Sequence, residues 1–166
     1  MYQERYWAQL KDLRTQVFYL SFYAAESENR DRAVDIFLAF ASSASIAAWA
    51  IWQHYPMLWA IIIVISQVVT AIKSFLPYKK RLKILPDFSD AIEAIALESE
   101  KGWFYVAEGL LTLEEINDKY FDLAGKLLKA EKKFMTGMVL PLKKKLLNQA
   151  EIEADKYLTT HYYQGA

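Results

Sequence analysis

Cysteine is absent from the 166 residues. That removes disulfides, thiolate nucleophiles and cysteine-based metal sites. Glycine (5) and proline (4) are scarce, which argues against a turn-rich β fold and for long helices. The two histidines, His54 and His161, are far apart in the chain. No HExxH, GxSxG, P-loop or GxGxxG pattern occurs. With no convergent set of catalytic groups to name, the chain is read as a non-enzyme that needs no cofactor. Excess charge of one sign is missing too: 20 basic and 20 acidic residues leave +0, so no global basic field points to nucleic acid. The first residues, Met1 to Trp7, have no early apolar core and are not read as a cleavable signal peptide.

What the chain has is a sharp division. Across residues 33–76 the charged residues are Asp35 and Lys73 alone. Within that block, 33–52 and 57–76 are two runs of twenty residues, apolar nearly all round. At about 1.5 Å per residue each is roughly 30 Å long as a helix, the thickness of a hydrocarbon core. Two helices buried in a soluble bundle would instead carry a polar stripe over about half their surface. The connection, Gln53, His54, Tyr55 and Pro56, leaves room only for a tight antiparallel turn. Trp49, Trp52, Tyr55 and Trp59 gather around it, as amphipathic rings do at a membrane interface. Arg30 and Arg32 precede the first run, and Lys79, Lys80, Arg81 and Lys83 follow the second. The positive-inside rule then predicts a two-span hairpin with both ends in the cytoplasm.

Folding the hairpin about its turn brings Asp35 level with Lys73. The two either form an intramembrane ion pair or both snorkel to the headgroups. On the second run, Ser66, Thr70 and Lys73 fall on one face, with Gln67 beside them. On the first, Ala39, Ser43 and Ala47 form a small-xxx-small row suited to close helix contact. These sets either pack the hairpin or, in an assembly of three or more copies such as a tetramer, line a water path through Ser66, Thr70 and Lys73. Two helices alone enclose no pore.

The flanking segments read as amphipathic helices. Tyr2, Tyr6, Leu10, Leu13, Val17 and Leu20 recur at spacings of three and four, predicting a helix from Tyr2 to about Ala25, before the polar stretch 26–32. Pro77 is expected to bend or end the second span. Pro86 and Asp87 are expected to open a helix with Asp87 as N-cap, carrying Phe88, Ile92, Ile95, Trp103 and Val106 and ending near Gly109. Thr112 and Glu115 make a capping box for a helix with the stripe Leu113, Ile116, Tyr120, Leu123, Leu127 and Phe134, broken at Thr136 and Gly137. A last helix is expected from about Pro141 to Tyr162, with Leu142, Leu146, Ala150 and Leu158 on its apolar side. The segments are therefore 1–32, an N-terminal cytoplasmic helix; 33–76, the transmembrane hairpin; and 77–166, a cytoplasmic helical region. Lysines cluster at Lys126, Lys129, Lys132 and Lys133 and again at Lys143, Lys144 and Lys145. Such clusters are solvated faces or a phosphate-binding surface for a nucleotide, with Lys126, Lys129 and Lys133 as the candidate ligands.

The fold class expected is thus an all-α membrane protein. An N-terminal amphipathic helix, a tight two-span hairpin, the basic exit Tyr78, Lys79, Lys80 and Arg81, and a long cytoplasmic helical pair make up a known layout. So do Trp103, Phe104, Tyr105 and Val106, followed by Leu111, Thr112, Leu113, Glu114 and Glu115. Over about residues 1–135 the chain resembles the SMODS- and SLOG-associating two-TM effector (SLATT) domains of bacterial conflict systems. The resemblance implies an oligomeric pore or ion channel of the inner membrane, part of anti-phage defence. It implies a partner nucleotidyltransferase or sensor protein, gating by a nucleotide second messenger or oligonucleotide, and depolarisation that aborts infection. The competing expectations are a non-conducting anchor or scaffold that binds a cytoplasmic protein, and, more weakly, half of a small transporter.

Overall fold

The computed structural model describes the backbone of residues 1–47, 56–75, 78–137 and 139–162 and, within these, the side chains other than those of 42–47, 56, 58–59, 73–75 and 78–81. Among the described residues the regular structure is helical throughout: α1 Tyr2–Ala47, α2 Pro56–Phe75, α3 Tyr78–Ala107, α4 Leu113–Phe134 and α5 Lys144–Tyr162. The all-helical expectation holds. Among the described residues no helix is long and apolar enough to cross a membrane. Gln53, His54 and Tyr55 of the hairpin turn, Pro77, Trp49 and Trp52 lie outside the described residues, as do the side chains of Trp59 and Ser43.

α1 corrects one expectation. It runs through 26–32 without a break. Polarity does not stop a helix; glycine and proline do, and α1 contains neither. The polar stretch is stitched by an i, i+4 pair, Arg30 to Glu26 at 2.6 Å. α3 supplies a second correction. It starts at Tyr78, so Pro86 lies inside it and Asp87 is no N-cap. The missing N–H of Pro86 removes one helical hydrogen bond. Leu85 and Phe88, 3% and 6% exposed, bury their side chains on either side and hold the segment in line.

The chain divides into two compact units, 1–24 with 83–166, and 25–82. In the first, the early part of α1 packs with α3, α4 and α5. The predicted stripe of α1 is buried at Tyr6, Leu10, Leu13 and Leu20 and continues at Tyr23, whereas Tyr2 is exposed. α3 contributes Phe88, Ile92, Ile95, Ala96 and Val106; α4 contributes Ile116, Leu123 and Ala130; α5 contributes Leu146, Ala150, Ala154 and Leu158. The small residues of α5 let its backbone come close. Besides Tyr2, two stripe positions are corrected. Leu113 is 63% exposed because it stands at the first helical position of α4. Leu142 is 70% exposed because α5 begins only at Lys144, not Pro141.

The connections are built by local chemistry. Gly109, at φ +66°, closes α3 as a Schellman turn: Leu110 N–H donates to the Tyr105 carbonyl at 3.0 Å and Gly109 N–H to Val106 at 3.2 Å. The capping box forms as expected. Thr112 N–H donates to Glu115 Oε2 at 2.8 Å, and Glu115 N–H donates to Thr112 Oγ1 at 3.3 Å. Before α5, the Tyr19 hydroxyl donates to the Pro141 carbonyl at 2.8 Å and accepts from Lys143 N–H at 3.2 Å, tying the linker to α1.

Candidate functional site

In the unit 25–82, α2 presents one half-buried row, Ile62, Ser66 and Val69; its other described side chains are exposed. The Ser66 hydroxyl donates to the Ile63 carbonyl and the Thr70 hydroxyl to the Ser66 carbonyl, both at 2.8 Å. Ser66 therefore sits on the covered row and Thr70 outside it, each with its donor satisfied by its own helix. The side chain of Lys73 lies outside the described residues, and with it the Asp35–Lys73 pair. Asp35 lines an open cleft of about 520 Å³ with Glu28, Asp31, Arg32, Ile36, Ala39 and Leu82.

The lysines of α4 behave unequally. Lys126 is held by Glu98 of α3 at 2.5 Å and by Asp122 at 2.8 Å, and these hydrogen bonds, Asp122 first, raise its pKa. Lys129 and Lys133 are exposed, the latter with its ammonium 4.7 Å from the Phe134 ring. Two of the three candidate ligands thus face solvent, while the third already serves two carboxylates.

The most tightly built polar group is one that sequence reasoning missed. Arg14 is only 3% exposed. Its Nε donates to Glu100 and its Nη1 to Glu93 at 2.8 Å, both on α3. Its Nη2 donates to the Tyr157 hydroxyl of α5 at 3.3 Å, and the guanidinium lies 4.6 Å from that ring. The Tyr157 hydroxyl in turn donates to Glu100 Oε2 at 3.2 Å. One cation thus ties three helices through two carboxylates and a phenol. Burial pulls the Arg14 pKa down, but the hydrogen bonds to Glu100 and Glu93 outweigh it and the net direction is up, so the guanidinium stays charged. Burial also raises Tyr157, and burial together with Glu100 pushes Tyr162 up to about 12. The apolar spacing of α1 does not include Arg14, and no motif singles out Glu93 or Glu100. The readable signal was the seven-residue spacing of Glu93 and Glu100, which puts both on one face of α3.

Next to this network, the buried Tyr6 hydroxyl donates to the Ser99 carbonyl at 3.0 Å, and burial raises its pKa. Gly102 makes room for it: a Cβ there would stand 2.0 Å from the Tyr6 hydroxyl oxygen. The clefts of this unit lie elsewhere. One of about 440 Å³ runs between α1 and α4 past Arg5, Gln9, Asp12, Tyr120 and Leu127. Another, of about 350 Å³, is lined by Tyr19, Leu20, Phe88, Met135 and Leu140. Neither of these two is lined by Arg14, Glu93, Glu100 or Tyr157; that network ties α1, α3 and α5 together. Among the described residues no group of three or more His, Asp or Glu side chains is placed to hold a metal ion. Compared with family models, curated proteins and solved structures, the chain matches none of them.

Proposed function

We propose that the chain is a two-span membrane effector whose 25–82 unit lies in the bilayer and whose helical bundle stands in the cytoplasm, several copies together forming an ion-conducting pore. The observation that carries the reading is the surface of the 25–82 unit. Phe40, Met57, Ile61, Val64, Val68 and Ile72 are each at least half exposed, on helices whose apolar residues face outward. A surface of that kind needs lipid or further copies to cover it. By sequence, 57–76 is a run of twenty residues with Lys73 as its one charge, and the reading rests on that run. Its hydroxyls at Ser66 and Thr70 spend their donors on the helix itself, which lowers the penalty of an apolar setting.

Following the SLATT resemblance, the pore is an anti-phage effector of the bacterial inner membrane. A nucleotide-type signal opens it, with exposed Lys129 and Lys133 as the contacts for phosphate. A ligand gates it only by binding the open and closed states with different affinity. The runner-up is a non-conducting anchor that binds a cytoplasmic partner. It is favoured by those same satisfied hydroxyls, which require no water path.

The test has two stages. The expressed chain is expected to sediment with membranes and to resist alkaline extraction; recovery in the detergent-free supernatant defeats both readings. Purified chain in liposomes is then expected to dissipate an ion gradient. Replacing Ser66, Thr70 and Lys73 together by Leu should abolish the leak while leaving insertion intact. Insertion without any leak, in the parent and the variant alike, selects the anchor.

A further inference from the structure

α4 turns Ile116, Leu123 and Ala130 into the core of its unit. On the opposite side, at spacings of four and three, stand Glu114, Asp118, Phe121, Gly125, Leu128 and Lys132. Phe121 and Leu128 are 55% and 51% exposed, and Glu114, Asp118 and Lys132 are exposed charges. Between the two apolar side chains lies a glycine in mid-helix. Glycine is the poorest helix former after proline, so its place there calls for a reason. Neither usual reason is internal to the chain. Among the described residues the positive-φ glycines are Gly109 and Gly137, not Gly125. A Cβ at Gly125 would also meet nothing within 4 Å. The notch is open toward solvent, flanked by Phe121 and Leu128.

The strip carries an order of charge that selects its occupant. Its acids, Glu114 and Asp118, are at the N-terminal end and its base, Lys132, at the C-terminal end. Its six positions are also symmetric about residue 123: 114 mirrors 132, 118 mirrors 128, and 121 mirrors 125. Two such helices laid parallel would set Glu114 against the partner's Glu114. Laid antiparallel about a two-fold axis at residue 123, they set Glu114 against the partner's Lys132 and seat Phe121 in the notch over the partner's Gly125. The helix macrodipoles then oppose as well.

The geometry points to an isologous dimer in which a second copy of this chain docks its α4 antiparallel on this one, with Phe121 over the partner's Gly125 at the centre, Leu128 against the stem of the partner's Asp118, and Glu114 with Lys132 at the ends. A two-fold contact of this kind closes on itself, so any larger assembly uses a second surface as well. The inference rests on the bundle alone and holds whether or not residues 25–82 lie in lipid.

The absence of cysteine makes the test clean. In the full purified chain, Glu114→Cys with Lys132→Cys should oxidise to one disulfide-linked dimer on a non-reducing gel. Each single variant should stay uncrosslinked, because equal positions on antiparallel partners lie about 27 Å apart (eighteen residues at 1.5 Å). Gly125→Leu fills the notch. It should weaken self-association at least tenfold by sedimentation while leaving the midpoint of thermal unfolding, measured at a concentration where both chains are monomeric, equal or higher, since leucine is the better helix former. No dimer from the double variant, a dimer from either single variant, a ladder of higher species, or self-association indifferent to Gly125→Leu each overturns the proposal.

Discussion

Replacing Arg14 by methionine should be among the most damaging single changes in the bundle, and its size follows from exposure. The Arg14 side chain is 4% exposed, Glu100 12% and Glu93 42%. Methionine keeps much of the volume, so the dominant effect is electrostatic: two carboxylates lose their cation. Removing one partner of a buried pair costs about 3–5 kcal/mol, because the other charge stays desolvated. The Glu93 contact is discounted, since water reaches nearly half of that side chain and exposed pairs are worth about 0–1 kcal/mol. Glu100 carries most of the loss, which we place at about 3 kcal/mol against a total of about 5–15 kcal/mol for a domain of this kind. Urea unfolding followed by tryptophan fluorescence reads it directly, since Trp7 and Trp103 stand 4.7 Å apart in the same bundle. The mechanism is separated from simple loss of packing by adding Glu100→Gln to Arg14→Met. Removing the stranded charge should recover more than half of the loss. An Arg14→Met variant within about 0.5 kcal/mol of the parent, or a double variant no better than the single one, would refute the reasoning.

Three further outcomes follow from local geometry. Gly102→Ala puts a methyl 2.0 Å from the Tyr6 hydroxyl oxygen. It should destabilise by about 1–3 kcal/mol in equilibrium unfolding, and adding Tyr6→Phe should relieve part of that loss. Thr112→Ala should lower stability by about 1 kcal/mol at neutral pH through loss of the N-cap. The Glu115 carboxyl is held below its ordinary value by the Thr112 backbone N–H and then its hydroxyl. The cap therefore stabilises above the usual carboxylate range and fades as pH falls through the lowered folded value, so the Tm difference between parent and Thr112→Ala should shrink on acidification. Tyr162 is raised from 10.0 to about 12 by burial and by Glu100. Its contribution is complete below pH 10.0 and lost as pH rises through about 12, and an alkaline spectrophotometric titration should show one fewer late-titrating phenol in Tyr162→Phe than in the parent, where Tyr6 and Tyr157 are raised as well.

Much of the bundle was legible because its signals are local and periodic. The spacings of three and four in Tyr6, Leu10, Leu13 and Leu20 describe one buried face, and Thr112 with Glu115 describes one cap. The failures have physical causes. The spacing ends the first helix at about Ala25, yet the polar stretch 26–32 holds no glycine or proline to stop it and the helix runs on. Pro86 looked like a beginning, yet burial of Leu85 and Phe88 outweighs one lost hydrogen bond. Arg14 could not be read from α1 alone. Its burial depends on Glu93 and Glu100, some eighty residues away on α3, and on Tyr157 from α5. For the α2 residues, spacing placed Ser66 and Thr70 one turn apart, but only the structure separates a half-buried row from an exposed one.

Why should a bundle with so many aliphatic contacts bury an arginine at all? The apolar face of α5 is Leu146, Ala150, Ala154 and Leu158, small and repetitive at intervals of four. Shifted by a turn, one alanine takes the other's seat, so packing resists the shift only through the leucines at the two ends. Tyr157 removes that freedom. Its hydroxyl meets both Arg14 and Glu100 in one register only, and Lys11 to Asp155, at 2.7 Å, adds a second pin at the rim. On this argument the network contributes uniqueness more than stability, as buried polar groups do in some helical assemblies. Replacing Arg14, Glu100 and Tyr157 together by Met, Leu and Phe should then leave the unfolding free energy equal or higher, since no charge is stranded. Hydrogen exchange along α5 should nonetheless speed up, and its amide spectrum should show more than one conformer. A triple variant that is clearly less stable, or equally stable with a single sharp set of α5 resonances, would show that the arginine serves stability rather than register.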